Sequence, residues 1–233
     1  MMLVRDIEKA LIAAEQNGAA FGNRTLSKGA LVHLCRRLDN TRSWNILELG
    51  GGHSPIFWEQ LHLQTGLPLI LTHLEHDPGY AAIWEEKPVG EGFIHFYRQT
   101  LQQLSDEERN EVFASPEVAM SVWSSYGKPV SSDLFNHYTI RNAFFAEVDM
   151  LPLEQESVDI LIVDGPHGNG RSLAFPLFYK HLKPDAFVLV DDYDHYPFIE
   201  DLRSLFHMEE LFRDTRGDCR WLLGRLTGKQ TFA

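Results

Sequence analysis

The stretch Asn45-Ile-Leu-Glu-Leu-Gly-Gly-Gly-His-Ser-Pro55 decides the fold of this chain. Its apolar residues predict a buried strand, its three glycines a tight loop, and Ser54 and Pro55 the start of a helix. Ser54 suits the N-cap, and Pro55 suits the first helical position, where no needed amide is lost. Glycines let the backbone come close to a ligand, and a helix N-terminus offers free amides. The segment therefore predicts a unit that binds a nucleotide-like ligand.

The glycine pattern distinguishes two classes of ligand. The dinucleotide fingerprint needs Gly or Ala at its sixth position, but counting from Gly50 that position is Pro55. The segment instead resembles motif I of class I S-adenosylmethionine-dependent methyltransferases, acidic-x-Gly-x-Gly-x-Gly. Glu48, Gly50 and Gly52 match this motif, and Ser54 replaces its last glycine. A carboxylate beside the loop suits a ligand that carries an ammonium and a sulfonium, whereas it repels a pyrophosphate.

The resemblance implies an α/β protein with a three-layer Rossmann-like methyltransferase fold. Its sheet would be seven-stranded and mostly parallel, with an antiparallel C-terminal strand. The 233 residues suit a single methyltransferase domain, 1–233, because one domain of this length buries a sizeable core. We expect N-terminal helices within 1–40, from the apolar periodicity of 3–17 and 27–38, and an inserted segment at 100–142.

Composition and charge exclude several kinds of protein. The hydrophobic content of 44% and charged content of 23% are ordinary for a soluble globule. A formal net charge of −12 disfavours nucleic acid or an anionic membrane as the main partner. Cys35 and Cys219 are too few for a disulfide framework or a cysteine zinc site, and no stretch approaches the ~18 apolar residues of a membrane span. We expect a cytoplasmic protein with a small-molecule or sugar substrate; a homodimer is left open.

A second apolar run, Leu67-Pro-Leu-Ile-Leu-Thr-His-Leu-Glu75, predicts the next strand. The order of strand, helix and strand requires a crossover, so the two strands should be parallel. Glu75 follows Gly50 by about 25 residues, close to the spacing at which nucleotide-binding folds place an acid on the ribose hydroxyls. In the methyltransferases that the chain resembles, this acid ends the second strand, and Glu75-His-Asp-Pro is similar. The cofactor-binding prediction is therefore Glu48, Gly50, Gly51, Gly52, Glu75, His76 and, from the later loop, Asp164. Asp77 competes with Glu75, and its alternative role is to cap the helix at 79–87.

Two later apolar runs compete to be the third strand. Phe93-Ile-His-Phe-Tyr97 follows its helix after a short connection, and Ala143-Phe-Phe-Ala-Glu-Val148 comes after a long polar segment. We favour 93–97, so that roughly 45 residues, including a predicted helix over 102–112, form an insertion longer than an ordinary loop. The aromatic residues of the insertion either contact the substrate or pack the insertion onto the domain: Trp123, Tyr126, His137 and Tyr138.

The C-terminal half predicts the remaining strands and more acids. The run Val158 to Asp164 predicts a buried strand that ends in a Gly/Pro loop, and Ala186 to Val190 predicts the next. Helices over 171–182 and 197–206 and closing strands near 208–213 and 219–226 complete the pattern. Ligands of an open α/β sheet bind outside the carboxyl ends of the strands. Five acids follow such ends, which predicts a site there: Glu48, Glu75, Asp164, Asp191 and Asp192.

The acids of the C-terminal half also resemble those of cation-dependent O-methyltransferases. In that group an acid ends the fourth strand, and an Asp-Asn or Asp-Asp pair ends the fifth. The resemblance implies that Asp164, Asp191 and Asp192 bind a divalent cation, magnesium or manganese, since oxygen ligands suit such ions. The cation would lower the pKa of a substrate hydroxyl. The alternative is that Asp191 or Asp192 only caps the next helix.

A histidine beside the fourth strand offers a metal-free route. His167 has an ordinary pKa of about 6.5 and could take a hydroxyl proton at neutral pH; His53 and His195 are lesser candidates. Asp164-Gly-Pro-His-Gly-Asn-Gly-Arg171 resembles a loop of the glucuronoxylan 4-O-methyltransferase family, which indicates a hydroxyl acceptor. We therefore expect His167 and Asp164 to be catalytic. Arg171 either binds an acceptor carboxylate or forms a surface salt bridge.

The predicted function is S-adenosylmethionine-dependent methyl transfer, by O-methylation of a small molecule or sugar. The cofactor of such enzymes brings an activated methyl group, so the protein needs no covalent nucleophile. The main alternative is a methyltransferase-like domain that binds the cofactor or a protein partner without catalysis. An NAD(P)-dependent oxidoreductase is disfavoured by Pro55 and Glu48.

Overall fold

The computed structural model describes residues 2–22, 25–85, 92–135, 140–216 and 220–231. Short 3₁₀ turns at Trp123–Ser125, Ser132–Leu134, Val148–Met150 and Asn169–Leu173 supplement the helices. The helices and strands follow in chain order: α1 (Val4–Gln16), α2 (Lys28–Cys35), β1 (Trp44–Leu49), α3 (Ser54–Thr65), β2 (Leu69–Glu75), α4 (Pro78–Glu85), β3 (Ile94–Arg98), β4 (Leu101–Gln103), α5 (Asp106–Ala114), α6 (Ala119–Val122), β5 (Lys128–Pro129), β6 (Ala143–Phe145), β7 (Val158–Val163), α7 (Ala174–Leu177), β8 (Leu182–Asp191), α8 (Phe198–Leu205), β9 (Phe206–Arg213) and β10 (Trp221–Lys229).

The main sheet has the strand order β3-β2-β1-β7-β8-β10-β9. Strands β3, β2, β1, β7 and β8 are parallel, and β10 runs antiparallel to both of its neighbours. The predicted fold class is thus confirmed. The chain moves outward from β1 to β3 and then returns to β7 on the other side of β1. The switch point lies between β1 and β7, where ligands of such sheets bind.

Each face of the sheet is covered by its own helical layer. Successive side chains of a strand point to opposite faces, so Ile46 packs with α1, α2 and α3, whereas Leu47 packs on the side of α5 to α8. The central strands β1 and β7 are buried on both faces, as is typical of parallel sheets. Among the described residues, no helix is both long and apolar enough to span a membrane.

The third strand is the run that we favoured. Strand β3 pairs in parallel with β2 at the edge of the main sheet, whereas β6 joins β4 and β5 in a separate three-stranded sheet. The helix predicted over 102–112 begins too early, because Leu101–Gln103 pairs with β6 as strand β4. Helix α5 starts after Ser105, which forms a capping box with Glu108.

The helix predicted over 171–182 is shorter than expected. The chain forms a 3₁₀ turn, Asn169–Leu173, and then only one α-helical turn, Ala174–Leu177. Strand β8 begins at Leu182, whose Cα is paired with that of Val158 on β7. Pairing with β7 thus extends the strand four residues before the predicted start at Ala186, and this tertiary interaction overrides the local helical pattern.

Candidate functional site

The loops after β1 and β7 meet at the switch point. The Gly50 N–H donates to Leu74 O at 2.9 Å, and the Gly165 N–H donates to Leu49 O at 2.6 Å. Gly50 has a φ of +71°, and a Cβ there would lie 2.7 Å from both Cα and N of Gly165. Gly50 therefore allows two backbone segments to touch. The sequence had suggested a different reason, close approach to a ligand.

A narrow cleft with a volume of about 40 Å³ opens beside this contact, smaller than the roughly 300–1,000 Å³ of ligand pockets. It adjoins Gly52, whose φ is +58°; a Cβ there would lie 3.0 Å from Thr25 Cγ2 and 3.2 Å from Tyr80 Cε1. No sequence pattern pointed to Thr25 or Tyr80, because they come from distant segments. The cleft is lined by Gly50, Gly51, Gly52, Glu75, His76, Asp77, Tyr80, Asp164, Gly165 and His167.

The start of α3 differs in detail from the prediction. His53 is the N-cap residue, and Ser54 is already helical, with Pro55 in the first turn as expected. The Ser54 hydroxyl is buried without a hydrogen-bond partner. His53, a lesser catalytic candidate, accepts a hydrogen bond at Nδ1 from the Ala20 N–H at 2.9 Å. It therefore joins the N-terminal segment to the glycine loop.

Glu48 lies beneath the glycine loop and does not line the cleft. It is fully buried, and its Oε2 accepts a hydrogen bond from His73 Nδ1 at 2.9 Å. Its Oε1 has no hydrogen-bond partner and lies 2.9 Å from the place that a Cβ of Gly51 would occupy. A side chain at position 51 would thus collide with the carboxylate. Glu48 can therefore act on a ligand only through the charge of its carboxylate, because Gly51 lies between that carboxylate and the cleft.

Glu75 ends β2 at the wall of the cleft, as predicted. Its Oε1 accepts the backbone N–H groups of His76 at 2.7 Å and Asp77 at 2.9 Å. Burial by itself would raise the pKa of Glu75, but the hydrogen bond and charge of His76 and the charge of His73 outweigh it and leave the pKa below its usual value. Asp77 accepts the Gly79 N–H at 2.7 Å, which is the capping role considered for it.

Asp164 and Asp191 form a hydrogen-bonded pair at the ends of β7 and β8. Burial is the main cause that raises the pKa of both side chains, to about 6 for Asp164 and well above the usual value for Asp191. The hydrogen bond lowers the pKa of Asp164 and raises that of Asp191. Asp191 therefore holds a shared proton more tightly than Asp164, and its O–H donates the hydrogen bond to Asp164.

Arg171 joins the two backbone segments that carry this pair. It is buried, and its Nε donates to Pro166 O at 2.9 Å while Nη1 donates to Asp191 O at 3.2 Å. The surface salt bridge considered for Arg171 is therefore wrong. The guanidinium holds the loop after β7 against the end of β8, and its positive charge lowers the pKa of both carboxyls.

The three acids predicted to bind a metal do not form a metal site. Within the described ranges, no group of three His, Cys, Asp or Glu side chains could hold a metal ion. Asp164 and Asp191 hydrogen-bond to each other, as described above. Asp192 turns away with a φ of +49°, and its Oδ2 lies 3.6 Å from His195 Nδ1. The donor set therefore does not fit the divalent cation that the resemblance implied.

His167 lies in the cleft next to His76, with ring centroids 6.1 Å apart. Burial, followed by the positive charges of Arg171 and His76, lowers its pKa to about 4. The ring is thus neutral at pH 7 but a weak base. His76 is itself buried, and its ring packs near Phe135 of the insertion and Phe145 of β6, with centroids 6.0 and 5.9 Å away.

Trp123 and Tyr126, the two predicted contact residues of the insertion that the structure describes, do not line the cleft. Trp123 is fully buried, and its Nε1 donates to Phe145 O at 3.0 Å and Ala146 O at 3.1 Å. The Tyr126 hydroxyl donates a hydrogen bond to Glu111 Oε2 at 3.0 Å. For these two, packing of the insertion is the observed role. His137 and Tyr138 lie outside the described residues.

Comparison with known proteins gives a family and a fold. A family model described as a methyltransferase domain matches residues 47–193, and no curated protein sequence matches significantly. Among solved structures, precorrin-6y C5,15-methyltransferase from Geobacter metallireducens GS-15 superposes with a TM-score of 0.51 at 11% identity, over 91% of this chain and 95% of that one. This similarity supports the fold alone.

Two further structures superpose less closely. A methyltransferase from Podospora anserina, solved with S-adenosylhomocysteine bound, has a TM-score of 0.48 at 12% identity and covers 97% of both chains. A methyltransferase from Pyrococcus furiosus has a TM-score of 0.47 at 10% identity, over 95% of this chain and 98% of that one.

Proposed function

Because the chain belongs to the class I S-adenosylmethionine-dependent methyltransferase family, we propose that it methylates a hydroxyl group of a small molecule or sugar. The observation that carries this proposal is the carboxylate of Asp164, which lines the cleft beside the glycine loop and has a pKa of about 6. A base with a pKa near the working pH is suited to take a hydroxyl proton.

The residues of the cleft fit S-adenosylmethionine. Gly52 leaves room beside Tyr80, and we assign the ribose hydroxyls to the Glu75 carboxylate, whose Oε1 accepts two backbone N–H groups at the wall of the cleft. The acids in and beneath the cleft favour a ligand with ammonium and sulfonium charges. When bound, the cofactor supplies the activated methyl group, and the protein must align the acceptor and exclude water.

Asp164 suits the role of general base better than His167. Asp164 is the member of the pair that ionises first, and Arg171 donates to the backbone carbonyl of Asp191. His167, with its pKa of about 4, is a weaker proton acceptor. We assign it to orient the acceptor beside Asp164. The net charge of −12 supports a small-molecule or sugar substrate over nucleic acid or a membrane surface, and we propose a cytoplasmic location.

A screen for methylated products tests this function. The protein is incubated with S-adenosylmethionine and pools of hydroxyl-bearing metabolites and sugars, and mass spectrometry follows the gain of one methyl group. We expect methylation at oxygen, with stoichiometric release of S-adenosylhomocysteine. Methylation only at carbon or nitrogen would contradict a hydroxyl acceptor. Tight cofactor binding without any turnover across the pools would favour the non-catalytic alternative.

Glu75→Ala is expected to weaken S-adenosylmethionine binding by roughly 1.5–3 kcal/mol, the range for hydrogen bonds to a charged group. The carboxylate is oriented by two backbone N–H groups toward the cleft, and alanine cannot replace it. Calorimetric titration measures the change, and Asp77→Ala is the matched control because Asp77 caps Gly79. If folded Glu75→Ala keeps its affinity for S-adenosylmethionine and Asp77→Ala loses affinity, the cofactor contact belongs to Asp77.

Removal of divalent cations is expected to leave turnover unchanged. Asp164 and Asp191 already bind each other, and the described acids do not form a metal-binding group. Initial rates are compared before and after treatment with EDTA, with added magnesium or manganese as the reference. Loss of activity with EDTA and recovery with either ion would contradict the proposed base and restore a metal-assisted route.

A further inference from the structure

A row of side chains crosses three strands beneath the glycine loop. Glu48 of β1 is in register with His73 of β2, which is in register with Phe96 of β3. Neither Glu48 nor His73 has any exposed surface. His73 Nδ1 lies 2.9 Å from Glu48 Oε2, and the His73 ring stacks on Phe96 with centroids 5.6 Å apart. His73 is thus fixed on both sides within the protein interior.

The groups that face His73 are mostly acidic. Glu48 faces it from β1, and Glu75 follows two residues later on β2, so its side chain lies on the same face. His76 follows Glu75, the last residue of β2, and its Nδ1 lies 3.2 Å from Glu75 Oε1. From β3 the neighbour is the uncharged ring of Phe96. The charge of Glu48 also reaches Asp164, whose pKa it helps to raise.

Glu48 depends on a single side chain for its position. Its Oε2 accepts a hydrogen bond from His73 Nδ1, while its Oε1 is left without a partner. The same Oε1 lies 2.9 Å from the place that a Cβ of Gly51 would occupy, so a shift of the carboxylate would disturb the glycine loop. A buried carboxylate that loses its hydrogen bond carries the cost of its desolvation.

We propose that His73 is a positioning residue of the cofactor site. It holds the Glu48 carboxylate beneath Gly51 through its Nδ1–H. His73 is fully buried, so it acts through Glu48. This inference rests on the proposed function, which assigns the cleft to S-adenosylmethionine.

Two substitutions separate the hydrogen bond from simple packing. His73→Phe keeps a ring against Phe96 but removes the donor. His73→Asn keeps a donor near the position of Nδ1. We would titrate wild type and both variants with S-adenosylmethionine and S-adenosylhomocysteine by calorimetry at neutral pH.

We expect His73→Phe to lose roughly 10–100-fold in affinity, as is typical when the residue that orients a binding group is removed. The loss should be larger for S-adenosylmethionine, because of its sulfonium charge. His73→Asn should lose less than His73→Phe. A role in packing alone predicts lower thermal stability with unchanged affinity in both variants, and that result would overturn the proposal.

A double variant covers the case in which His73→Phe does not fold. Glu48→Gln with His73→Phe removes the carboxylate that lost its partner, so we expect it to be more stable than His73→Phe alone. Equal or lower stability would overturn the pairing of Glu48 with His73. In wild type, ¹⁵N spectra of histidine should show a proton on Nδ1 of His73, and an unprotonated Nδ1 would overturn the proposal. Absence of cofactor binding by wild type would instead contradict the proposed function.

Discussion

Gly50→Ala is expected to destabilise the fold by roughly 2–5 kcal/mol, the sum of left-handed backbone strain and overpacking. The φ of Gly50 is +71°, and a Cβ there would lie 2.7 Å from the Cα and N of Gly165. The obstacle is backbone, so no side-chain rotation can relieve it. The loops after β1 and β7 would have to separate, and the cofactor cleft between them would be lost. Denaturant unfolding measures the change, together with cofactor titration of the folded fraction.

Gly66→Ala is the matched control for this prediction. Gly66 ends α3 with a φ of +66°, but a Cβ there would meet no atom within 4 Å. It therefore measures the left-handed strain alone, roughly 1–2 kcal/mol. Equal destabilisation by the two substitutions would mean that the contact with Gly165 is of no consequence. A stable Gly50→Ala protein that has lost cofactor binding would restore the explanation suggested by the sequence, close approach to a ligand.

Asp164→Asn is expected to lower the turnover number by roughly 10²–10⁴-fold, the contribution of a general base. The amide oxygen of asparagine can still accept the hydrogen bond from Asp191, so the variant should fold and bind S-adenosylmethionine. His167→Ala is the matched comparison in the same cleft, with a smaller expected loss because its pKa of about 4 makes it a weak base. Initial rates with saturating cofactor give both values. A larger loss in His167→Ala would assign the general base to His167 instead of Asp164.

The pH dependence of the wild-type rate distinguishes the two bases independently. The base must be unprotonated, so the rate falls as the pH drops below its pKa. For Asp164 the fall should begin near pH 6, and for His167 only near pH 4. The same raised pKa means that the native state holds this proton more tightly than the unfolded chain. The contribution of Asp164 to stability therefore declines as pH rises from roughly 4 to 6.

Local patterns in the sequence were enough to predict the sheet and its ligand-binding edge. The apolar runs ending at Glu48, Glu75 and Asp164 predicted parallel strands, because their order along the chain requires crossovers. The short connection before Phe93 correctly favoured 93–97 over 143–148 as the third strand. These features depend on the periodicity and spacing of neighbouring residues, which the sequence displays directly.

The sequence could not show how distant segments meet. Leu182 is drawn into β8 by its pairing with Val158, so the helix predicted there was shortened. From its sequence, Trp123 could either contact the substrate or pack the insertion onto the domain. Its indole donates to the backbone carbonyls of Phe145 and Ala146, which follow the insertion. Such outcomes depend on pairing and burial, which are set by the whole fold.

The acids at the sheet edge illustrate the same division. Their place at the ends of strands was evident from the sequence, whereas their charge states were not. The approach of Asp164 to Asp191 turned two predicted metal ligands into a pair sharing one proton. The burial of Glu48 against His73 placed a motif residue beneath its loop. Sequence determined which groups reach this edge; only tertiary structure decided which of them are buried together, and burial sets where their protons reside.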